Sequence, residues 1–145
     1  MFLWLSFYLE NKMPRPADID DVVWDLMVAN RFRNKYKNSK DRGIEFSLSF
    51  RAMKNLLSAK KCYYTGLLLT NPEGPEEGKM KPSDLTIDRI DCKRGYVSGN
   101  VVACSNAANQ LKAQFEQAGI AGLKAGENVF KKSIKRIKGM EEKVQ

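Results

Sequence analysis

Apolar residues fall in short blocks along the chain, separated by stretches dense in Gly, Pro and charge. The first block, MFLWLSFYL, is much shorter than a membrane span, so no span is expected. It lacks a preceding basic residue and a following small-residue cleavage site, unlike a signal peptide. It reads either as a strand or helical turn packed on the core or as an interfacial or partner contact. Pro14 and Pro16 close it, and Pro16 suits the opening of a helix, where its missing N–H costs nothing. Ile19, Val22, Val23, Leu26 and Met27 follow at helical spacing, with Asp18, Asp20 and Asp21 at the positive end of the dipole. This helix is expected to continue through Ala29, Phe32 and Tyr36 and to break at Gly43.

Ile44, Phe46 and Leu48 alternate with Glu45, Ser47 and Ser49, which predicts a short strand. Met53, Leu56 and Leu57 form an apolar helical patch among Lys54, Lys60 and Lys61. The segment CYYTGLLL predicts a turn at Thr65 and Gly66 leading into a strand, and NPEGPEEGKMKPSD predicts a surface loop. From Leu85 to Lys112 the chain reads as a short strand, a Gly-rich turn around Tyr96, a second strand or extended piece, and a helix. Helical conformation is possible from Val101, with Leu111 and Phe115 continuing it. Gly119, Gly122 and Gly126 mark a connector before a last helix over Glu127 to Lys138, whose Val129, Phe130, Ile134 and Ile137 share one side.

The length of 145 residues predicts a single domain, 1–145. Within it, 1–60 reads as an N-terminal extension with a basic helix, 61–118 as the core and 119–145 as a basic C-terminal helix. Charge adds to this picture: 25 Lys or Arg against 17 Asp or Glu give a net charge of +8, which favours polyanionic partners, chiefly nucleic acid. Arg31, Arg33, Lys35 and Lys37 crowd the later half of the first long helix, and Lys131 and Lys135 lie on the last one. Each set reads either as a phosphate-contacting face or as a solvated one. Their scatter suits backbone contact better than base reading.

Three scattered cysteines with no Cys-x-x-Cys pair argue against a disulfide framework or zinc knuckle and fit a reducing cytoplasm. The chain contains no histidine, so any chemistry must work without the usual neutral-pH base. Asp88 ends a predicted strand, Asn100 is placed to cap a helix or fix a loop, and Asn109 lies on the following helix. A carboxylate and an amide oxygen suit one hard cation, Mg²⁺ or Mn²⁺. Taken alone, the same two residues also fit a cap and a surface amide.

The combination LTIDRID, RGY, Asn100, Asn109 and Lys112, with CYYTG upstream, resembles the HNH, or ββα-metal, nuclease motif in its phage-type variant. The resemblance runs from about Lys35 to Lys112. It implies an α+β fold with a ββα-metal (HNH-like) core and flanking basic helices. It implies Asp88 and Asn109 as metal ligands, Asn100 as the loop-orienting Asn, and Lys112 as a phosphate contact together with Lys93 and Arg94. Arg89 occupies the position of the catalytic histidine. Arginine stays protonated and can clamp phosphate but not activate water, which leaves Asp91, Asp84, a metal-bound hydroxide or another group for that task, while Asp91 also reads as a cap of the Gly-Tyr loop. Zinc-stabilised relatives carry Cys where this chain has Ser105 and Ala108, so no structural zinc is expected.

The expected function is metal-dependent hydrolysis of phosphodiester bonds in duplex or branched DNA, leaving a 5′-phosphate. The alternative is a catalytically inactive HNH-like protein that binds DNA or a host factor. A host or phage protein partner fits either reading. The expected location is the cytoplasm, that of a host if the protein is phage-encoded.

Overall fold

The computed structural model describes residues 15–16, 18–71 and 80–144. The expectations for MFLWLSFYL and for most of the Pro- and Gly-rich loop fall outside the described residues. The chain divides into two compact units, Met1–Asn109 and Gln110–Gln145.

In the first unit, helix α1 spans Asp21–Asp41. Its N-cap is Asp20, whose carboxylate accepts from the backbone N–H groups of Val22 at 2.8 Å and Val23 at 3.4 Å. The helix therefore opens one turn after Pro16. It ends before Gly43, where φ is +65° and Ile44 N–H returns to Ser39 O at 2.8 Å. Of the apolar residues that mark this helix in sequence, Ile19 and Met27 pack on the core, while Val22 and Leu26 are 67% and 66% exposed. Trp24 and Val28, one turn apart, set the buried face instead.

Helix α2 (Phe50–Leu57) is capped by the Ser49 hydroxyl, which accepts from Ala52 N–H at 3.1 Å. It buries Met53 and Leu57, and Lys54 pairs with Asp25 of α1 at 2.6 Å. The strand expected over Ile44 to Leu48 is reduced to one parallel bridge, Phe46 with Tyr96. Its alternation has another cause. Phe46 meets Phe32, Tyr36 and Tyr96 with ring centroids 5.5, 5.6 and 6.1 Å apart, and Leu48 is buried. At this bridge Tyr96 N–H donates to Glu45 O at 2.8 Å, and Ser47 N–H donates to Tyr96 O at 3.0 Å. A Cβ on Gly95 would lie 2.4 Å from Glu45 O. Gly95→Ala is therefore expected to destabilise the protein by about 1–3 kcal/mol, read as a lower urea midpoint at unchanged slope. A midpoint within error of the parent's contradicts this close approach.

The turn at Thr65 and Gly66 forms as expected, with Gly66 at φ +71°. The strand expected after it does not, leaving only the single bridges Lys61 with Leu68 and Thr70 with Asp84. Strands β1 (Leu85–Arg89) and β2 (Val101–Ser105) pair antiparallel from Leu85↔Ser105 to Arg89↔Val101. A helix from Val101 is thus overturned: the β-branched Val101 and Val102 join the ladder, and helix α3 begins only at Asn106 (Asn106–Ala113). The result is a β-hairpin followed by an α-helix, a ββα-type unit within an α+β chain. Cys104 and Ala108 are both buried in the core cluster.

In the second unit, α3 ends at Ala113, so Phe115 does not continue it as expected. A short 3₁₀ turn, Glu116–Ala118, leads into α4 (Gly119–Glu141). Gly122 and Gly126 are helical rather than part of a connector, and only Gly119 has positive φ, +65°. They are small because the turn folds back on them. A Cβ on Gly126 would come within 3.0 Å of the Phe115 ring, and one on Gly122 within 2.0 Å of Phe115 O. No helix among the described residues is long and apolar enough to cross a membrane.

Candidate functional site

Strand alternation sorts the side chains of the hairpin. Thr86 and Asp88, opposite Cys104 and Val102, lie on one face, while Ile87 and Arg89, opposite Ala103 and Val101, lie on the other. Asp88 is buried, and its Oδ2 accepts from the Tyr64 hydroxyl at 2.7 Å. Burial, followed by this hydrogen bond and the negative charge of Asp88, pushes the Tyr64 phenol far above its ordinary value. Tyr64 therefore holds its proton and serves Asp88 as a hydrogen-bond donor.

Asn109 stands in the first turn of α3, because the helix starts at Asn106 and not at Val101. Its Nδ2 donates to Thr86 Oγ1 at 3.2 Å, which brings it to the Asp88 face of the hairpin. Thr86 and Asp88 are two residues apart, about 7 Å along the strand. One face thus offers a carboxylate, an amide carbonyl and a hydroxyl, all hard oxygen donors that fit Mg²⁺ or Mn²⁺. Among the described residues no group of three or more His, Cys, Asp or Glu gathers for a metal ion, here or elsewhere. Mg²⁺ ordinarily keeps several waters and needs only one or two protein oxygens.

The loop between the strands is built on Asn100, which is 1% exposed. Its Oδ1 accepts from Asp91 N–H at 3.0 Å, and its Nδ2 donates to Asp91 O at 3.2 Å and Gly95 O at 2.9 Å. Asn100 is thus the loop-fixing side chain and not the cap of a helix. The Asp91 carboxylate accepts from Lys93 N–H at 2.9 Å, an Asx-type turn. Arg89 donates to Arg94 O at 2.9 Å, and its guanidinium lies 5.3 Å from the Tyr96 ring centroid. The Lys35 ammonium lies 4.6 Å from the centroid of that ring and 3.5 Å from Ile87 O. Asp84, the other acid weighed for water activation, is buried and accepts from Thr70 Oγ1 at 2.7 Å and Lys81 N–H at 2.8 Å.

Among the concavities beside the hairpin, two carry more than one basic residue. One, of about 420 Å³, is lined by Arg31 and Lys35 of α1 together with Thr86, Asn106 and Asn109. Arg31 is held there by Asn71 Oδ1 at 2.6 Å, and burial draws its pKa down against the raising effect of Asp84. The other, of about 850 Å³, is lined by Arg89, Lys93 and Arg94 beside Glu45 and Ser47. Arg33 and Lys37 are exposed on α1 and line neither. In the second unit, Lys112 pairs with Glu116, Lys131 pairs with Glu127 at 2.7 Å, and Lys135 is exposed.

Two residues escaped the sequence reading. Tyr64 lies inside the CYYTG segment, but nothing local signals its reach to Asp88, 24 positions away. Thr86 is one residue inside LTIDRID, and its place on the Asp88 face follows from strand period alone. Cys62 is buried, and its Sγ accepts from Ser105 N–H at 3.3 Å. Burial alone would raise this thiol, but hydrogen bonds from Thr65 and Ser105 outweigh it and bring the pKa down to about 7.

Comparison with known proteins gives one informative match. The chain is 26% identical over 111 residues to an uncharacterized 29.0 kDa protein in the dda-modA intergenic region of Enterobacteria phage T4. The match covers 72% of this chain and 42% of the phage protein, so the chain spans less than half the length of that relative. No protein-family profile matches the chain. No solved structure matches it either.

Proposed function

We propose that the chain is an HNH-like, metal-dependent DNA endonuclease. The observation that carries this reading is the placement of Asp88, and of Asn109 through its hydrogen bond to Thr86, on one face of a β-hairpin followed by a helix. Arg31 and Lys35 line the concavity next to Asn109, where a phosphodiester backbone can lie. Asp88 and Asn109 would hold the ion, and Thr86 and Tyr64 orient them. A bound Mg²⁺ or Mn²⁺ supplies Lewis-acid stabilisation of charge on the scissile phosphate and the leaving oxygen.

The remaining work falls to this chain's own groups. Tyr64, kept protonated, neutralises part of the Asp88 charge and fixes the carboxylate's direction. Asn100 fixes the loop whose Arg94 carbonyl holds Arg89. Arg89, Lys93 and Arg94 hold phosphate on the other side of the hairpin. Of the two carboxylates, Asp84 is engaged by two donors inside the core, while Asp91, whose carboxylate also accepts from Lys93 N–H in the loop turn, is our candidate for water activation.

The purified protein is expected to convert supercoiled plasmid to open circles in millimolar Mg²⁺ or Mn²⁺, and to stop on addition of EDTA. Retention of DNA with no cleavage in either metal overturns the endonuclease reading.

One observation favours a second reading, a DNA-binding protein without turnover. Arg89 stands on the face of β1 opposite Asp88, engaged by Arg94 O and Tyr96. A permanently charged guanidinium in that place anchors phosphate and accepts no proton. Plasmid retention that falls steeply with salt, with the DNA left intact, identifies this case.

A further inference from the structure

The C-terminal helix carries a pattern that phosphate binding does not use. Along the 23 residues of α4, positions Ile120, Leu123, Glu127, Phe130, Ile134 and Ile137 recur at alternating spacings of three and four, the a and d sites of a heptad repeat. The five apolar members of this row are between 41% and 74% exposed. A row this narrow matches a coiled-coil seam, not the broad apolar face of a helix packed in a core. Lys124, Lys131 and Lys138 stand at the e position of the successive heptads, so a line of ammonium groups borders one edge of the seam. The opposite edge carries Gly126 and Ser133, and Gly126 is covered by the Phe115 ring.

We propose that α4 is one half of a heterotypic coiled coil, and that its occupant is an amphipathic helix of a partner protein with Asp or Glu facing Lys124, Lys131 and Lys138. Charge complementarity selects this occupant. An antiparallel second copy sets lysine edge against lysine edge. A parallel copy sets the lysines against Gly126 and Ser133 and stacks Glu127 on its own counterpart inside the seam. Duplex DNA has no use for Leu123, Phe130, Ile134 and Ile137 in a row. A lipid surface has no use for the carboxylate of Glu127 in the middle of the apolar row. An acidic helix satisfies both the apolar row and the charged edge.

The test uses the full chain and a defined probe, a four-heptad synthetic helix with Leu at a and d and Glu at e and g, which repels its own copies. Titration calorimetry is expected to show binding about tenfold tighter than to the same helix with Lys at e and g. The combined Lys124→Glu, Lys131→Glu, Lys138→Glu variant is expected to reverse that preference. Ile134→Glu is expected to weaken binding of the Glu helix at least tenfold, with helicity of the full chain unchanged by circular dichroism. Lys132→Glu, on the far side of the helix, leaves the affinity as it was.

Equal binding of the two probe helices, or none, overturns the proposal. So does a chain that sediments as a dimer dissolved by Ile134→Glu, which identifies a second copy as the occupant. Pelleting with vesicles of three parts neutral to one part anionic lipid, without probe binding, assigns the seam to a membrane surface. Loss of duplex-DNA retention in the triple variant without any effect on probe binding assigns the lysines to DNA.

Discussion

Asp88→Ala is expected to cut plasmid cleavage in Mg²⁺ or Mn²⁺ by about 10²–10³-fold, the scale on which enzymes lose rate when one charge-stabilising group is removed. The reason lies in what the alanine takes away. Asp88 supplies the negative charge on a face otherwise furnished with the neutral oxygens of Asn109 and Thr86. A divalent ion loses most of its electrostatic hold when that charge goes. The substitution also strands the Tyr64 hydroxyl, which donates to Asp88 Oδ2, at a cost of about 1–3 kcal/mol. Activity and stability must therefore be separated. Asp88→Asn keeps an acceptor for Tyr64 and nearly the same shape but removes the charge. It is expected to lose as much cleavage as the alanine while unfolding close to the parent's urea midpoint. An Asp88→Asn protein that keeps more than about a tenth of parental cleavage would falsify the assignment of Asp88 as an anionic metal ligand.

The second large effect is on the fold. Asn100→Ala is expected to lower stability by about 3–5 kcal/mol, because three backbone groups of the loop lose their partner at a site closed to water. Those groups are Asp91 N–H, Asp91 O and Gly95 O. The three are not independent, so the total falls short of three separate penalties. Asn100→Asp gives the decisive comparison. It retains an acceptor for Asp91 N–H but offers no donor to the two carbonyls, and it places a charge where the parent side chain is 1% exposed. It is expected to be at least as destabilising as the alanine near neutral pH. Urea unfolding of both variants checks this, and an Asn100→Asp protein as stable as the parent shows that the two donated bonds contribute nothing. The same change releases the loop carrying Arg94 O, so Arg89 loses its anchor even where the protein stays folded.

Sequence alone carried the centre of the molecule well and its periphery poorly, for identifiable reasons. LTIDR is a strand because its apolar residues alternate with polar ones, and the Gly-containing turn after it is equally local. The boundary between β2 and α3 was blurred because VVACSNAANQLK is apolar at both strand and helix period. Only pairing with β1 decides where the ladder stops. Gly122 and Gly126 read as a connector because glycine weakens helices, whereas here the Phe115 turn requires their small size. In α1 the spacing of Val22 and Leu26 looked like a buried face, but the larger Trp24 decides the orientation. Asp88, Asn100 and Asn109 stand out as candidates in the sequence because they lie within one short motif. Tyr64, Arg31 and Lys35 reach it from distant elements, and only the folded chain shows which of the many basic residues line the concavity beside Asn109.

The Asn100 bracket also bears on the order in which the site assembles. Its bonds close over five to nine residues, within the hairpin itself. Tyr64 reaches Asp88 across 24 residues, Arg31 reaches Asn71 across 40, and Lys35 reaches Ile87 across 52. The entropy lost on closing a loop grows with its length, and short-range pairings form on the microsecond scale of hairpins. The half of the site that bears Asp88 and Arg89 is thus the half that an unfolded chain reaches most readily.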